Sequence, residues 1–115
     1  MPFKIRRWFN FDAAHKLPNH PGKCANLHGH RWKGFVELAA MSLMPNGMVM
    51  DFKDLDQKIQ KCISVYDHSF LNDRVANPTA EIMAREIYHA VKKEVDNVVM
   101  VGLAESEDSY AYYWE

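Results

Sequence analysis

From Phe3 to His15 the chain alternates, with Arg7 and Trp8 as the exceptions. Phe3, Ile5, Arg7, Phe9, Phe11, Ala13 and His15 fall on one side, and Lys4, Arg6, Trp8, Asn10 and Asp12 on the other. A period of two held over this length reads as a strand with one apolar face, about 40 Å from end to end. A strand so long needs a partner of similar reach. The run from His28 to about Met41 supplies one, with His28, His30, Trp32, Val36 and Leu38 on one face and Arg31, Lys33 and Glu37 on the other. Pro18, Asn19, Pro21 and Gly22 crowd between the two runs, which is loop chemistry, and Pro45, Asn46 and Gly47 mark the turn that ends the second.

The period then changes. Asp51 is a good helix N-cap, and Phe52, Leu55, Ile59, Cys62, Ile63 and Tyr66 follow at steps of three and four, predicting an amphipathic helix. A loop over Asp67–Ala76 leads to Asn77 as cap and Pro78 at the first position of a second helix. Met83, Ile87, Ala90 and Val91 form that helix's stripe, which ends near Asp96. Val98–Ala104 and Tyr110–Trp114 read as two further strands. The order β-β-α-α-β-β predicts one α+β domain over residues 1–115: a four-stranded antiparallel sheet with two helices on one face. The other face, given Trp8, Trp32 and the terminal aromatics, is hard to leave bare and predicts a homo-oligomer that buries it.

Composition narrows the function classes. The chain has 115 residues, 48% apolar and 25% charged, the mix of an ordinary soluble globular protein. A formal charge of −1 with acids and bases interspersed predicts no nucleic-acid partner, although a local basic cluster could still bind phosphates. No apolar run approaches a membrane span, and the opening MPFKIRR has no apolar signal region. Two cysteines, Cys24 and Cys62, make no disulfide framework, and the expected setting is the reducing cytoplasm.

The densest chemistry is Cys24-Ala25-Asn26-Leu27-His28-Gly29-His30. Two histidines two apart on a strand point both imidazoles from one face, an efficient way to present two nitrogens to one zinc. Gly29 between them would let a neighbouring backbone come close. A hairpin-like pairing of the first two strands would bring His15 beside the pair. His20 and His89 read as surface or packing residues. Two site types compete: Cys24 with the three histidines makes a closed structural site, whereas the histidines alone leave an open position for water or substrate. Asp67-His68 reads either as an exposed pair or as an acid–base dyad. Glu105 reads either as a solvated strand-end acid or as a carboxylate accepting two donors from an amidine-like ligand edge. Glu81 reads as a first-turn acid favoured by the helix dipole.

Taken together, these segments resemble the 6-pyruvoyl-tetrahydropterin synthase superfamily, most closely its 6-carboxy-tetrahydropterin synthase branch of the queuosine pathway. The resemblance runs over nearly the whole chain: Phe11-Asp12-Ala13-Ala14-His15, Cys24-x-x-x-His28-Gly29-His30, Asp51-Phe52 with Leu55, Asp67-His68 with Leu71-Asn72, Pro78-Thr79-Ala80-Glu81, and Glu105-Ser106 followed by Ala111. It implies the tunnelling fold (T-fold), with trimers stacked into a homohexamer and active sites at subunit boundaries. It implies Zn2+ on His15, His28 and His30, with Cys24 as a catalytic base off the metal and Asp67 and His68 completing the proton-transfer set. Glu105 would anchor a pterin's aminopyrimidine edge, and Thr79 would help line the pocket. The implied substrate is the pterin triphosphate 7,8-dihydroneopterin triphosphate, with Lys16, Lys23 and Arg74 as available cations. The implied products are 6-carboxy-tetrahydropterin, acetaldehyde and triphosphate, the pyruvoyl-forming synthase being the alternative. A closed, non-catalytic zinc module is the alternative of another class. Ser106 departs from the threonine usual in the family and keeps the hydroxyl.

Overall fold

In the computed structural model, which describes Met1–Glu115, β1 spans Phe3–His15 and β2 spans His28–Ala40. They pair antiparallel along their whole length, from Phe3 opposite Ala40 to His15 opposite His28. α1 (Phe52–Ile63), β3 (Ser69–Phe70), α2 (Ala80–Glu94), β4 (Val98–Ser106) and β5 (Ser109–Tyr113) follow. The sheet order is β3-β1-β2-β4-β5, and only β3 runs parallel to its neighbour. The four expected strands are all present. The fifth lies in the segment read as a loop, because two residues are too few to show a period. Pairing of Ser69 and Phe70 with Ala13 and Ala14 makes it a strand.

Both helices form where local chemistry starts them. The Asp51 carboxylate accepts from the Lys53 and Asp54 amides at 2.8 and 3.4 Å, and Leu55, Ile59 and Ile63 turn a fully buried stripe to the sheet. α2 begins later than Asn77-Pro78 suggests. The Thr79 hydroxyl accepts from the Ile82 amide at 3.1 Å and is the true cap, leaving Pro78 outside the helix with its carbonyl free for another partner. The helix ends at Glu94.

α1 and α2 cover one sheet face, and the core of Phe9, Phe11, Leu38, Ile59, Ile87 and Leu103 lies between. Trp32 belongs to this core, fully buried, its indole N–H donating to the Ala13 carbonyl at 3.3 Å. It therefore adds nothing to the bare face, contrary to the expectation from sequence, because its register partner Phe11 fixes it on the helix side.

On the opposite face Phe35 is roofed from within the chain. The Arg6 guanidinium lies 3.8 Å above its ring, and Trp8 meets it edge-on. Arg6 also donates twice to Glu37, at 2.8 and 2.6 Å, and Lys4 approaches the other carboxylate oxygen at 3.1 Å. Burial pushes the Glu37 carboxyl up, but the bonds from Arg6 and Lys4 outweigh it, so the group stays below the usual carboxylate range. Its contribution to stability is thus present above the ordinary carboxylate pKa and lost as pH falls through the lowered value. Trp8 and Tyr112 remain 43% and 50% exposed on this face.

Replacing Asp51 with alanine removes the α1 cap and should lower stability by about 1 kcal/mol. In urea this shifts the midpoint down at an unchanged slope. A midpoint equal to wild type would mean that the cap is not what starts the helix.

Candidate metal centre

The β1–β2 register builds the centre. His15 stands opposite His28, and Ala13 opposite His30, so the three imidazoles share the helix-side face at one end of the hairpin. Their ligand atoms all lie within 4.8 Å of one another. Ring centroids are 4.5 Å apart for His15 and His28, 5.1 Å for His15 and His30, and 4.8 Å for His28 and His30. Trp32 forms the floor, edge-to-face with both His15 and His30. Gly29 has a smaller part than its position suggested: a Cβ there would meet nothing within 4 Å, so it is not needed for any close approach inside the chain.

Two backbone carbonyls decide which nitrogens point inward. Pro78 oxygen lies 2.8 Å from His15 Nδ1, and Asn26 oxygen 2.7 Å from His28 Nδ1. A carbonyl only accepts, so each Nδ1 carries the proton and each Nε2 is left with a lone pair. Nε2 of His15, of His28 and of His30 is buried and has no hydrogen-bond partner. Three converging, unpartnered nitrogens in a buried place, two of them with the lone pair turned inward, carry a cost unless a cation accepts them. The donor set fits zinc, and neutral imidazole also suits copper, nickel and iron. Burial holds the His15 and His30 rings below their usual pKa, against the pull of Glu105, which favours the charged form.

Other elements clamp this end. Asn72 accepts from the Lys16 amide at 3.0 Å and donates to the Lys16 carbonyl at 2.8 Å, tying down the chain just after His15. The Leu17 amide donates to the Cys24 carbonyl at 2.7 Å, folding the loop so that Cys24 sits on a 3-10 turn, Lys23–Ala25, before His28. Cys24 is half-buried, a free thiol, and outside the group of converging ligand atoms.

Glu105, near the end of β4, reaches the same end of the sheet. Its carboxylate oxygens lie 3.7 Å from His15 Nε2 and 3.5 Å from His30 Nε2. It also lines a cleft of about 300 Å³ with Ala80, Glu81, Ser106, Ser109, Tyr110 and Ala111. Thr79 is absent from that lining; its hydroxyl is engaged in capping α2. A larger apolar groove of about 490 Å³, lined by Phe3, Ile5, Leu43 and Val49 among others, opens at the far end of the hairpin. Its lining carries no histidine, cysteine or carboxylate.

Asp67 and His68 are elsewhere. They form a second group with Asp12, separate from the three histidines. The Asp12 amide donates to the Asp67 carboxylate at 3.0 Å, and the His68 amide donates to the Asp12 carbonyl at 2.6 Å. His68 Nδ1 lies 3.1 Å from the Asp67 carboxylate, and its ring is 79% exposed. The bond from the Asp12 amide, then the bond from His68, hold the Asp67 carboxyl below its usual pKa. His68 has φ 56°, the left-handed region a β-branch-free side chain enters only at a cost and which recurs at functional positions. The two side chains are in contact, and within one chain the pair faces solvent. His20 and His89 take local roles, His20 Nδ1 accepting from the Gly22 amide and His89 pairing with Glu115.

Sequence reasoning missed the carbonyls of Pro78 and Asn26 and the clamp by Asn72. Backbone acceptors carry no side-chain signature, and an asparagine in a loop has many uses. The buried, neutral rings predict a stability change in the metal-free protein. As pH falls below about 6.5 the unfolded chain takes up protons that His15 and His30 resist in the fold, so the melting temperature should drop. Saturating zinc should flatten that dependence until acid displaces the metal. Metal-free and zinc-loaded melts that fall in parallel would contradict the assignment.

The chain as a whole is similar to known proteins. The family model described as 6-pyruvoyl tetrahydropterin synthase matches residues 4–115. A putative 6-carboxy-5,6,7,8-tetrahydropterin synthase of Archaeoglobus fulgidus is 38% identical over 102 residues, covering 89% of this chain and 87% of its own. A 6-carboxy-5,6,7,8-tetrahydropterin synthase of Synechocystis is 36% identical over 118 residues, covering 96% and 92%. In fold, the chain superposes on the Caenorhabditis elegans 6-pyruvoyl tetrahydropterin synthase with a TM-score of 0.89 at 24% identity, over 98% of this chain and 95% of the other. A match of this extent, joined to a shared fold, has one meaning: the chain belongs to the 6-pyruvoyl tetrahydropterin synthase family.

Proposed function

We propose that this protein is a zinc-dependent lyase that converts 7,8-dihydroneopterin triphosphate to 6-carboxy-5,6,7,8-tetrahydropterin, releasing acetaldehyde and triphosphate, in the cytoplasmic route to queuosine and related deazapurines. The observation that carries the reading is the set of three buried, unpartnered Nε2 atoms beside a cleft bordered by Glu105. The relatives named 6-carboxy-5,6,7,8-tetrahydropterin synthase favour the carboxy product over the pyruvoyl one.

His15, His28 and His30 hold the metal, with Pro78 and Asn26 fixing the first two rings. When bound, zinc polarises oxygens of the substrate's side chain and makes the adjacent C–H more acidic. Cys24, off the metal and on the loop leading to His28, takes that proton. Asp67 keeps His68 oriented and stabilises its charged form, so the pair can pass a proton to or from Cys24 or the substrate. The Glu105 carboxylate accepts two N–H donors from the flat aminopyrimidine edge, a charge-assisted bidentate pair. Thr79 supports the pocket by capping α2 and so setting Ala80 and Glu81 in its wall. Lys16, Lys23 and Arg74 are the cations offered to the triphosphate. No helix is long and apolar enough to cross a membrane, and both cysteines are free thiols, as a reducing compartment would keep them.

The two separate clusters in one chain point to assembly. An exposed Asp67–His68 pair serves a buried centre only if it is offered to a neighbour's Cys24, and the half-exposed Trp8 and Tyr112 give the subunits apolar surface to share. A homohexamer of two trimers, with sites at subunit boundaries, fits both facts.

Incubation with dihydroneopterin triphosphate should yield acetaldehyde stoichiometric with the carboxy-pterin. Pyruvoyl product without acetaldehyde would refute the choice of branch. Cys24→Ala should abolish turnover while one zinc per chain is retained; loss of zinc instead would mark a closed site with Cys24 as ligand. Inactive Cys24→Ala and His68→Ala proteins, unfolded together and reassembled, should regain a substantial fraction of activity through mixed oligomers. No regain would place both groups in one subunit's site.

A further inference from the structure

Glu105 stands in the wrong place for a residue whose only partner is a pterin. Its oxygens lie 3.5 and 3.7 Å from the Nε2 atoms of His30 and His15, and these two histidines are its close ionic partners. Both separations are too long for hydrogen bonds. His15 Nε2 moreover holds a lone pair, because Nδ1 gives its proton to the Pro78 carbonyl. A carboxylate oxygen facing an imidazole lone pair is repelled unless a cation lies between them. Two ligands each about 2.0–2.1 Å from one tetrahedral zinc stand about 3.3 Å apart. The observed nitrogen–oxygen separations, one from each carboxylate oxygen, are somewhat longer than that value, and Glu105 lies outside the group that the three histidines form, so a turn of its own side chain is needed to bring one oxygen onto the centre.

We propose that in the metal-loaded, substrate-free protein Glu105 is the fourth metal ligand, and that a pterin ring draws it off. Glu105 borders both places, the histidine cluster and the cleft with Glu81, Ser106 and Ala111, so a change of its own side-chain torsions carries the carboxylate from one to the other. The exchange rests on the reading of Glu105 as the pterin's anchor. It gives that reading a consequence: the metal is closed by protein ligands until the ring arrives, and the departing carboxylate opens the position that the substrate's side-chain oxygens then take. Water is kept from the metal in the resting protein. By linkage, a ring without a side chain must weaken metal binding by the factor with which metal weakens ring binding.

The test uses the full-length protein stripped of metal and loaded with one Co2+ per chain, followed by visible absorption between about pH 6 and pH 9. That range spans the pKa of about 7 that a catalytic metal gives to a bound water. Wild type, with no water on the metal, should give a spectrum that does not titrate. Glu105→Ala and the isosteric Glu105→Gln, checked for fold by circular dichroism, should give spectra that do. Both variants should also yield zinc to a chelator with an affinity at least about tenfold weaker, since even partners outside the ligand shell are worth that much. Adding unsubstituted pterin, its binding followed by its own fluorescence, should make the wild-type spectrum titrate and should speed zinc release. A wild-type spectrum that titrates like the variants, with equal zinc affinity, would overturn the proposal. So would bound pterin that leaves the wild-type spectrum unchanged. Acetaldehyde formation enters none of these readouts, so failure of the lyase reading and failure of the exchange are separately visible.

Discussion

The centre depends on one register. Pairing of His15 with His28 sets all three imidazoles on the same side of the sheet, and Trp32 beneath them. A slip of one residue would send His28 and His30 to the opposite face and expose Trp32, so the core and the histidine cluster are specified by the same pairing. The cost of error is high on both counts. Trp32, Val36 and Leu38 would leave the core as His28 and His30 left the site. This is why so long a hairpin, joined by an irregular loop, can still present its ends accurately.

The short motifs scattered along the chain converge on that end as clamps more than as reagents. Pro78 gives a carbonyl to His15, and Thr79 starts α2 so that Ala80 and Glu81 meet the cleft. Asn72 binds both backbone groups of Lys16, and Asp67 is fastened to β1 through the Asp12 amide. Each bond lies between residues more than fifty apart in sequence or at a helix start. Together they hold the His15 ring in one tautomer and fasten the segments around it, the kind of support a metal centre requires as much as its ligands.

The centre is also a place of stored tension. Three buried nitrogens converge without partners, and a carboxylate faces two of them. Burial resists protonation of His15 and His30, the simplest way in which the site could relieve itself. On the other sheet face the opposite solution appears: Glu37 is buried, but Arg6 and Lys4 satisfy it fully. One buried charge is closed by the chain itself. The other arrangement stays open to something from outside, and that contrast separates a structural pair from a functional centre.

Much of this was legible in the residues. The period of two over Phe3–His15, the steps of three and four after Asp51, and the His28-x-His30 spacing each express a local geometry that needs no distant partner. They yielded the element order, one sheet face and the pairing of His28 with His30, while His15 joined them through the hairpin and the family resemblance. What stayed out of reach depends on contacts between remote segments. The two-residue β3 exists only because Ala13 and Ala14 pair with it, and α2 is capped by Thr79, which leaves the Pro78 carbonyl to His15. Trp32 lies on the helix side and not on the bare face, and no group approaches the Cβ position of Gly29. The separation of Asp67–His68 from the histidines, and the nearness of Glu105 to them, follow from how strands and helices close in three dimensions. Periodicity and ligand spacing are properties of neighbours along the chain and were fixed by sequence alone. Tautomers, clamps and the position of one carboxylate belong to groups that only folding brings together.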